Sequence, residues 1–191
     1  MIMIKSLKGD NNMRYETFDP KIHDVNKIAT LQYNVDFRTY DKLFNSKERA
    51  IERIGKTLKK DESIKVIYDN DTIIGLIITC TYDRKPKSRF NSLRLLLVSI
   101  LDHFVICEIE KDDFYIAEIA IDEKQRSEGY GTKVIKNVIS CAKKNGYKRV
   151  ILDVDFRNRR SKALYEKLGF KVYDTKIFMK RGMYNMEYKI S

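Results

Sequence analysis

The chain has 191 residues, of which 43% are hydrophobic. This length suits one compact domain, and the apolar content excludes an intrinsically disordered chain. Lys and Arg outnumber Asp and Glu by 38 to 27, and residues 122–191 carry nearly all of the excess, with 18 basic and 8 acidic residues. A basic half of this kind suits nucleic acid, membrane lipid or a phosphorylated small ligand, unless its lysines are simply solvated.

The cysteines and the apolar runs narrow the class of protein. Three cysteines without a CxxC pair, with only two histidines, make no conventional zinc set, so we expect no metal and a reduced, cytoplasmic protein. The strongest apolar run, residues 93–109, is broken by Arg94, Asp102, His103 and Glu108. It falls short of the roughly 18 apolar residues of a membrane span. The sequence therefore predicts a soluble protein without a membrane partner.

Hydrophobic periodicity and turn residues predict alternating strands and helices after a flexible leader over residues 1–12. The first half of the chain is predicted to form a strand over 14–18, a helix opened by Asp19 and Pro20 with Ile22 on its buried face, a helix from Ser46, strands over 64–68 and 72–81, and a buried helix over 91–104. The second half is predicted to form a strand over 114–121, a helix after Gly131, a strand over 149–154 and a helix over 161–168. Two strands over 170–179 and 183–190, with a turn at Arg181 and Gly182, end the predicted domain. This order mixes hairpins with βαβ crossovers and predicts a mixed sheet with helices on both faces.

The loop between the strand over 114–121 and the next helix has the features of a phosphate site. Gly129 and Gly131 leave the backbone bare where a helix begins, and unpaired N–H groups favour an anion there. Arg126 adds a cation that binds phosphate with two hydrogen bonds. A dinucleotide fingerprint is excluded because its third glycine would fall at Val134, and a Walker A loop lacks its Gly-Lys-Ser/Thr. The alternative is a tight turn that needs its glycines only for geometry.

A second segment, residues 158–170, predicts a short helix that ends at Gly169. Ala163, Leu164 and Leu168 have the spacing of a buried stripe. Tyr165 lies one position off that stripe, so its hydroxyl is expected to point into a cleft. The alternative is an ordinary half-buried tyrosine.

Taken together, the two segments resemble the GNAT superfamily of N-acetyltransferases. The acetyl-CoA signature of that family, Gln/Arg-x-x-Gly-x-Gly/Ala, matches residues 126–131, although Ser127 stands where many members have glycine. A second signature, Asn-x-x-Ala-x-x-x-Tyr-x-x-x-Gly-Phe, matches residues 158–170 with Ser161 in place of the alanine. The resemblance covers about residues 14–190. It implies a GNAT-like α/β fold with a mostly antiparallel sheet of about seven strands, in which the fourth and fifth strands splay apart.

The resemblance also implies an activity, namely transfer of an acetyl group from acetyl-CoA to a primary amine by direct attack. The glycine loop would hold the pyrophosphate, and the strand before it would pair with pantetheine amides. The implied cofactor-binding residues are Ile119, Ile121, Arg126, Ser127, Gly129, Tyr130, Gly131, Thr132, Asn158 and Tyr165. The three phosphates of CoA would account for the basic half of the chain.

Catalysis would need a proton acceptor, because an alkylamine with a pKa near 10.4 is mostly protonated at pH 7. Asp153 occupies the position where some family members carry a glutamate base, and Glu118 on the adjacent strand is the other candidate. Either carboxylate is alternatively a surface charge. Tyr165 would face the leaving thiolate, and we expect it to stabilise that thiolate by a hydrogen bond at least as much as by donating its proton. A backbone N–H near Ile121 would polarise the carbonyl oxygen.

The sequence also bears on the extent of the domain and on the acceptor. We expect a single domain over residues 13–191 with an insertion at about 83–113, which would wall the acceptor pocket or form the contact of a homodimer. Four acidic residues at its end favour a cationic acceptor: Glu108, Glu110, Asp112 and Asp113. Protein N-termini, polyamines, amino acids and antibiotics all remain open as acceptors.

Two other functions compete with catalysis. A member of the family that binds CoA without turning it over would act as a sensor or regulatory module. A nucleic-acid binder would need a basic stripe with stacking aromatic residues, and Tyr147, Phe156 and Tyr173 are scattered instead. Nucleic acid is therefore the least favoured partner.

Overall fold

The computed structural model describes residues 13–84, 106–178 and 181–191. The predicted leader, the predicted helix over 91–104 and most of the predicted insertion lie outside these ranges. The described residues form seven strands: β1 (Met13–Phe18), β2 (Asp61–Asp69), β3 (Thr72–Thr81), β4 (Asp113–Ile121), β5 (Arg149–Asp155), β6 (Lys171–Phe178) and β7 (Arg181–Lys189). They also form five α-helices: α1 (Val25–Val35), α2 (Phe37–Phe44), α3 (Lys47–Thr57), α4 (Tyr130–Lys144) and α5 (Arg159–Lys167). None of these helices is long and apolar enough to cross a membrane.

The strands form one mixed sheet in the order β1-β2-β3-β4-β5-β7-β6. Only β4 and β5 run parallel, and every other neighbouring pair is antiparallel. The helix α4 makes the crossover between the two parallel strands, as a parallel pair requires. The predicted fold class, a mostly antiparallel sheet of seven strands with helices on both faces, is confirmed.

The parallel pair is short, which confirms the predicted splaying of the fourth and fifth strands. β4 and β5 are paired only from Asp113 with Arg149 to Ile116 with Leu152. Just beyond this point the register between β3 and β4 shifts, which leaves Ala117 as an extra residue in β4. Such a bulge bends the strand and increases its twist. β4 therefore turns away with β3, while β5 stays paired with β7 as far as Asp155.

Each face of the sheet buries its own core. One core joins the sheet to α1, α2 and α3 through side chains such as Phe18, Ile28 and Tyr115. The other joins it to α4 and α5 through side chains such as Ile135, Leu152 and Tyr165. These faces are called the α1 face and the α4 face below. The sheet separates the two faces, except beyond Leu152, where β4 and β5 are no longer paired and the gap between them connects one face with the other.

The structure corrects the sequence-based predictions for the first helix, for the segment after it and for the last turn. The first helix begins at Val25 rather than at Asp19, because the Asp24 side chain caps it by accepting a hydrogen bond from the Lys27 N–H. Ile22, expected on its buried face, precedes the helix and is 72% exposed. The helix α2 was not predicted. The predicted turn at residues 181 and 182 instead belongs to β7, which pairs there with β6.

A close approach between β3 and β4 yields a stability prediction. A Cβ atom at Gly75 would clash with the carbonyl oxygen of Ala120 and would lie 3.3 Å from its carbonyl carbon. We expect Gly75→Ala to lower the free energy of unfolding by about 1–3 kcal/mol, because backbone must move to admit the methyl group. Urea denaturation at 25 °C measures the change.

Gly55 in α3 provides the matched control for this substitution. A Cβ there would meet only the Val25 and Ala29 side chains, at 3.5 and 3.8 Å, which are ordinary contacts. Gly55→Ala should raise stability by up to about 1 kcal/mol, because alanine favours the helix interior. A destabilising effect of Gly55→Ala as large as that of Gly75→Ala would contradict this explanation.

Candidate active site

The gap between β4 and β5 exposes backbone groups of β4. The Asp122 N–H donates to the Ile74 carbonyl at 2.8 Å, so this residue faces β3. Successive residues of an antiparallel strand face opposite neighbours. The N–H and C=O groups of Ile119 and Ile121 therefore point away from β3 and into the gap. These are the two residues that were predicted to pair with a ligand.

The start of α4 presents unsatisfied backbone donors beside this gap. Gly129 is the N-cap residue, with φ of 81°, and no side chain caps the helix. The first turn also carries no acidic residue. The first N–H groups of a helix lack internal partners, so this end of α4 fits an anion. Ser127 has φ of 73°, which explains why glycine suits this position.

The side chains around this loop have different roles. Arg126 is exposed, and its nearest carboxylate is that of Glu123, at 3.5 Å. Arg160 in α5 reaches across and donates to the Ser127 hydroxyl at 3.1 Å. The Tyr130 hydroxyl donates to Asp69, and this hydrogen bond raises the pKa of Tyr130 to about 12. The Tyr130 side chain thus fastens α4 to β2, and only its backbone faces the loop.

Gly131 and Thr132 complete the first turn of α4. The nearest heavy atom to a Cβ at Gly131 would be a Leu164 methyl carbon at 3.5 Å, so α5 packs directly against the start of α4. Asn158 caps α5 by accepting a hydrogen bond from the Ser161 N–H at 3.1 Å. The short helix α5 is therefore fixed against the first turn of α4.

Tyr165 lies on the α4 face of the gap and is buried. It packs in the same core as Phe170, with ring centroids 5.7 Å apart. Burial alone raises the pKa of Tyr165 to about 12. The predicted stripe of α5 was wrong in detail, because Ala163 is exposed whereas Tyr165 is buried. Because its pKa is raised to about 12, the phenol keeps its proton across the physiological pH range and has an O–H available to donate.

Asp153 lies on the α1 face at the base of the gap and is held by four donors. Its Oδ2 accepts from the Tyr115 hydroxyl at 2.6 Å. Its Oδ1 accepts from the N–H and the thiol of Cys107, both at 2.9 Å, and from the Asn185 amide. These donors come from β4, from β7 and from the segment that leads into β4. Asp153 therefore ties three parts of the chain together at the point where β4 and β5 separate.

The protons around Asp153 are firmly held. Burial, together with the adjacent Asp153 carboxylate, raises the pKa of Tyr115 well above its ordinary value. The same two causes raise the pKa of the Cys107 thiol. Both groups stay protonated and donate to Asp153. The sequence analysis did not find these two partners of Asp153, because Tyr115 and Cys107 lie 38 and 46 positions before it in the chain.

Glu118 lies farther along β4, on the same face of the gap. The Gln32 amide of α1 donates to its Oε2 at 3.5 Å, and Gln32 itself is buried. Because α1 packs against β3 and β4, Glu118 faces the helix layer rather than α4. The two predicted carboxylates thus share one face, while Tyr165 and the α4 loop lie on the other.

Most of the acidic residues at the end of the predicted insertion form ion pairs with basic side chains. Arg149 lies 2.6 Å from Asp113 and 3.1 Å from Glu110, and Lys148 lies 2.5 Å from Asp112. These three carboxylates stabilise the start of β4 and β5 instead of forming an uncompensated negative surface. Among the described residues, no group of three or more His, Cys, Asp or Glu is arranged to hold a metal ion.

Known proteins with similar sequences carry acetyltransferase names. N-alpha-acetyltransferase 30 of Xenopus laevis is 38% identical over 64 residues, which are 34% of this chain and 23% of that protein. The [ribosomal protein bS18]-alanine N-acetyltransferase of Escherichia coli K12 is 27% identical over 90 residues, which are 47% of this chain and 61% of that protein. The matches thus span less than two thirds of either relative.

Solved structures agree on the fold, and a family model agrees on the sequence. An N-acetyltransferase from Staphylococcus aureus Mu50 superposes with a TM-score of 0.65 at 20% identity, over 91% of this chain and 99% of that one. At this identity the likeness shows the fold alone. The sequence model of the acetyltransferase (GNAT) family matches residues 23–170, which is more than half of the chain. The chain belongs to the acetyltransferase (GNAT) family.

Proposed function

We propose that this protein is an acetyl-CoA-dependent N-acetyltransferase that acts on a primary amine. The observation that carries the proposal is the gap between β4 and β5, which has an anion-binding loop on one face and two carboxylates on the other. Family membership supports acetyl-CoA as the donor. The N-acetyltransferase names of the relatives support an amine as the acceptor.

The donor is proposed to bind on the α4 face. The bare N–H groups at the start of α4 would take its pyrophosphate, with Arg126 and Arg160 adding positive charge. Backbone groups of Ile119 and Ile121 would pair with the pantetheine amides. The thioester would then lie in the gap, beside Tyr165.

The acceptor is proposed to approach from the α1 face, where Glu118 would take a proton from its nitrogen. The neutral amine would attack the thioester carbonyl, forming a C–N bond and breaking the C–S bond, and the second proton that the nitrogen loses as it becomes an amide would pass through solvent to the thiolate. The departing thiolate would accept a hydrogen bond from Tyr165. With the pKa of Tyr165 raised to about 12, full proton transfer to a thiolate of pKa near 8.5 is unfavourable.

Asp153 is proposed to position this site rather than to act as its base. Both of its oxygens already accept hydrogen bonds from protein donors. A base must offer an oxygen to the substrate, so removing a proton at Asp153 would require one of these bonds to break. Glu118, on the same face and farther along the gap, is the proposed base.

A binding measurement tests the donor site. Calorimetric titration with acetyl-CoA should give micromolar affinity, and Gly131→Glu should abolish it, because a carboxylate would occupy the anion-binding end of α4. Ser140→Glu, which adds the same charge to an exposed position later in α4, is the matched control and should bind normally. No binding at millimolar acetyl-CoA would refute the proposed function.

The alternative of a CoA-binding module without catalysis is tested by turnover. Release of free thiol in the presence of a panel of peptides with free α-amino groups, polyamines and amino acids would support transfer. Tight acetyl-CoA binding without acetylation of any amine, in the wild type and in the Glu118 and Asp153 variants alike, would favour the non-catalytic module instead.

The two carboxylates should respond differently to loss of charge. Glu118→Gln should lower kcat/KM by about 10²- to 10⁴-fold, the contribution of a general base, with little change in stability. Asp153→Asn should lower the free energy of unfolding by about 1–3 kcal/mol, because an NH2 group replaces one acceptor oxygen and would face a buried donor. Steady-state kinetics and urea denaturation measure both effects. The opposite pattern would identify Asp153 as the base.

Tyr165 should contribute without titrating. Its pKa of about 12 lies above the assay range, so the phenol stays protonated and imposes no loss of rate between pH 6 and 10. Tyr165→Phe should therefore lower kcat by roughly ten- to a hundredfold, the effect of a hydrogen bond to a charged group, while the shape of the pH profile stays the same. A limb of the wild-type profile that disappears in Tyr165→Phe would contradict this role.

A further inference from the structure

An ion pair connects the two sides of the gap on the α1 face. The Arg181 guanidinium lies 3.1 Å from the Asp36 carboxylate. Asp36 follows α1 directly, one turn beyond Gln32, whose amide contacts Glu118 in β4. Arg181 begins β7, the strand that pairs with β5. The ion pair therefore extends from the helix that covers β4 to the strand that continues beyond β5.

Each partner is anchored to its own side of the gap. The backbone carbonyl of Asp36 accepts hydrogen bonds from the N–H groups of Thr39 and Tyr40, at 3.0 and 3.2 Å. On the other side, the Gly182 carbonyl accepts a hydrogen bond from the Phe156 N–H at 3.0 Å, just after β5. A change in the width of the gap would consequently stretch or break the Asp36–Arg181 pair.

The pair belongs to a short row of alternating charges. Arg157 donates to Asp155 at 2.8 Å. Burial opposes the charge on Asp155, but hydrogen bonds from Arg157 and the nearby charge of Arg181 lower the pKa of Asp155 below its ordinary value. Asp36, Arg181, Asp155 and Arg157 thus alternate in sign at the end of β5.

The ion pair is accessible enough to open. The side chains of Asp36 and Arg181 are 27% and 23% exposed, so water and salt reach them. Val35 and Phe37, on either side of Asp36, are also exposed, so the junction between α1 and α2 is not packed beneath other side chains. Partly exposed ion pairs are weak and are screened by salt.

We propose that Asp36 and Arg181 form an ionic strap that closes the acceptor side of the gap and opens when the acceptor enters. The proposal rests on the proposed function for its use of the α1 face as the acceptor side. It makes the two residues determinants of acceptor affinity, without contact between either of them and the reacting atoms.

Hydrogen–deuterium exchange of the protein alone, without acetyl-CoA or an acceptor, tests the strap. At low salt, Asp36→Asn and Arg181→Gln should each speed amide exchange several-fold in peptides covering residues 33–40 and 181–186. Asp36→Glu, which keeps the negative charge beside Arg181, should stay close to the wild-type rates. Wild-type exchange in 0.5 M NaCl should approach that of Asp36→Asn and Arg181→Gln, because salt screens the pair.

Lys56→Gln is the matched control, because it breaks the exposed Lys56–Glu52 ion pair within α3. It should leave exchange in both segments unchanged. Unchanged exchange in both Asp36→Asn and Arg181→Gln would overturn the proposal. So would an Asp36→Glu protein, folded by urea denaturation, that exchanges no more slowly than Asp36→Asn.

Acceptor kinetics test the opening step. With acetyl-CoA saturating, Asp36→Asn and Arg181→Gln should lower the acceptor KM about two- to fivefold for a hexapeptide with a free α-amino group, and Asp36→Glu should leave it close to the wild-type value. An unchanged or raised KM in both Asp36→Asn and Arg181→Gln would overturn the gating role. Loss of acetyl-CoA binding in calorimetry would instead refute the proposed function, which the exchange measurement does not depend on.

Discussion

The site depends on a constraint that the backbone places on every strand, which is that its polar groups need partners. After Ile116 and Leu152, β4 and β5 no longer pair with each other, and the N–H and C=O groups of Ile119 and Ile121 face a gap instead of a strand. The extra residue at Ala117 produces this arrangement by turning β4 away with β3. A ligand with amide groups along its length would complete the interrupted ladder from the side of α4.

Asp153 holds this gap at its narrow end. Its hydrogen bonds with Tyr115, Cys107 and Asn185 gather three buried residues around one half-buried carboxylate, which gives each of their donors an acceptor. Tyr115 links it to β4 at the last residues where the parallel strands are still paired. By linking β5 to β4, this carboxylate supports the place where the two strands separate and the gap between the two faces of the sheet begins.

The sequence predicted local features well and distant ones poorly. Gly129 and the strands have short-range signals, namely turn residues and alternating apolar side chains, and they were found. The helix α2 follows α1 with only Asp36 between them, so no turn signal separates the two. The partners of Asp153 lie far away in sequence, and no spacing rule connects Cys107 with β5. The burial of Tyr165 depends on how α5 packs and not on the helix pattern alone, so its place in the core could not be predicted from spacing.

The hydrogen bonds of Cys107 have a consequence for how this domain tolerates sequence change. Cys107 closes the long connection between β3 and β4, and both its backbone and its thiol end on Asp153. Connections of this kind usually vary freely in length and composition, since they run over the surface. Here the last residues of the connection are part of the support of the gap. A chimera that exchanges this connection for one from a related protein would need to keep the residues from Cys107 to the start of β4, even where everything before them is replaced.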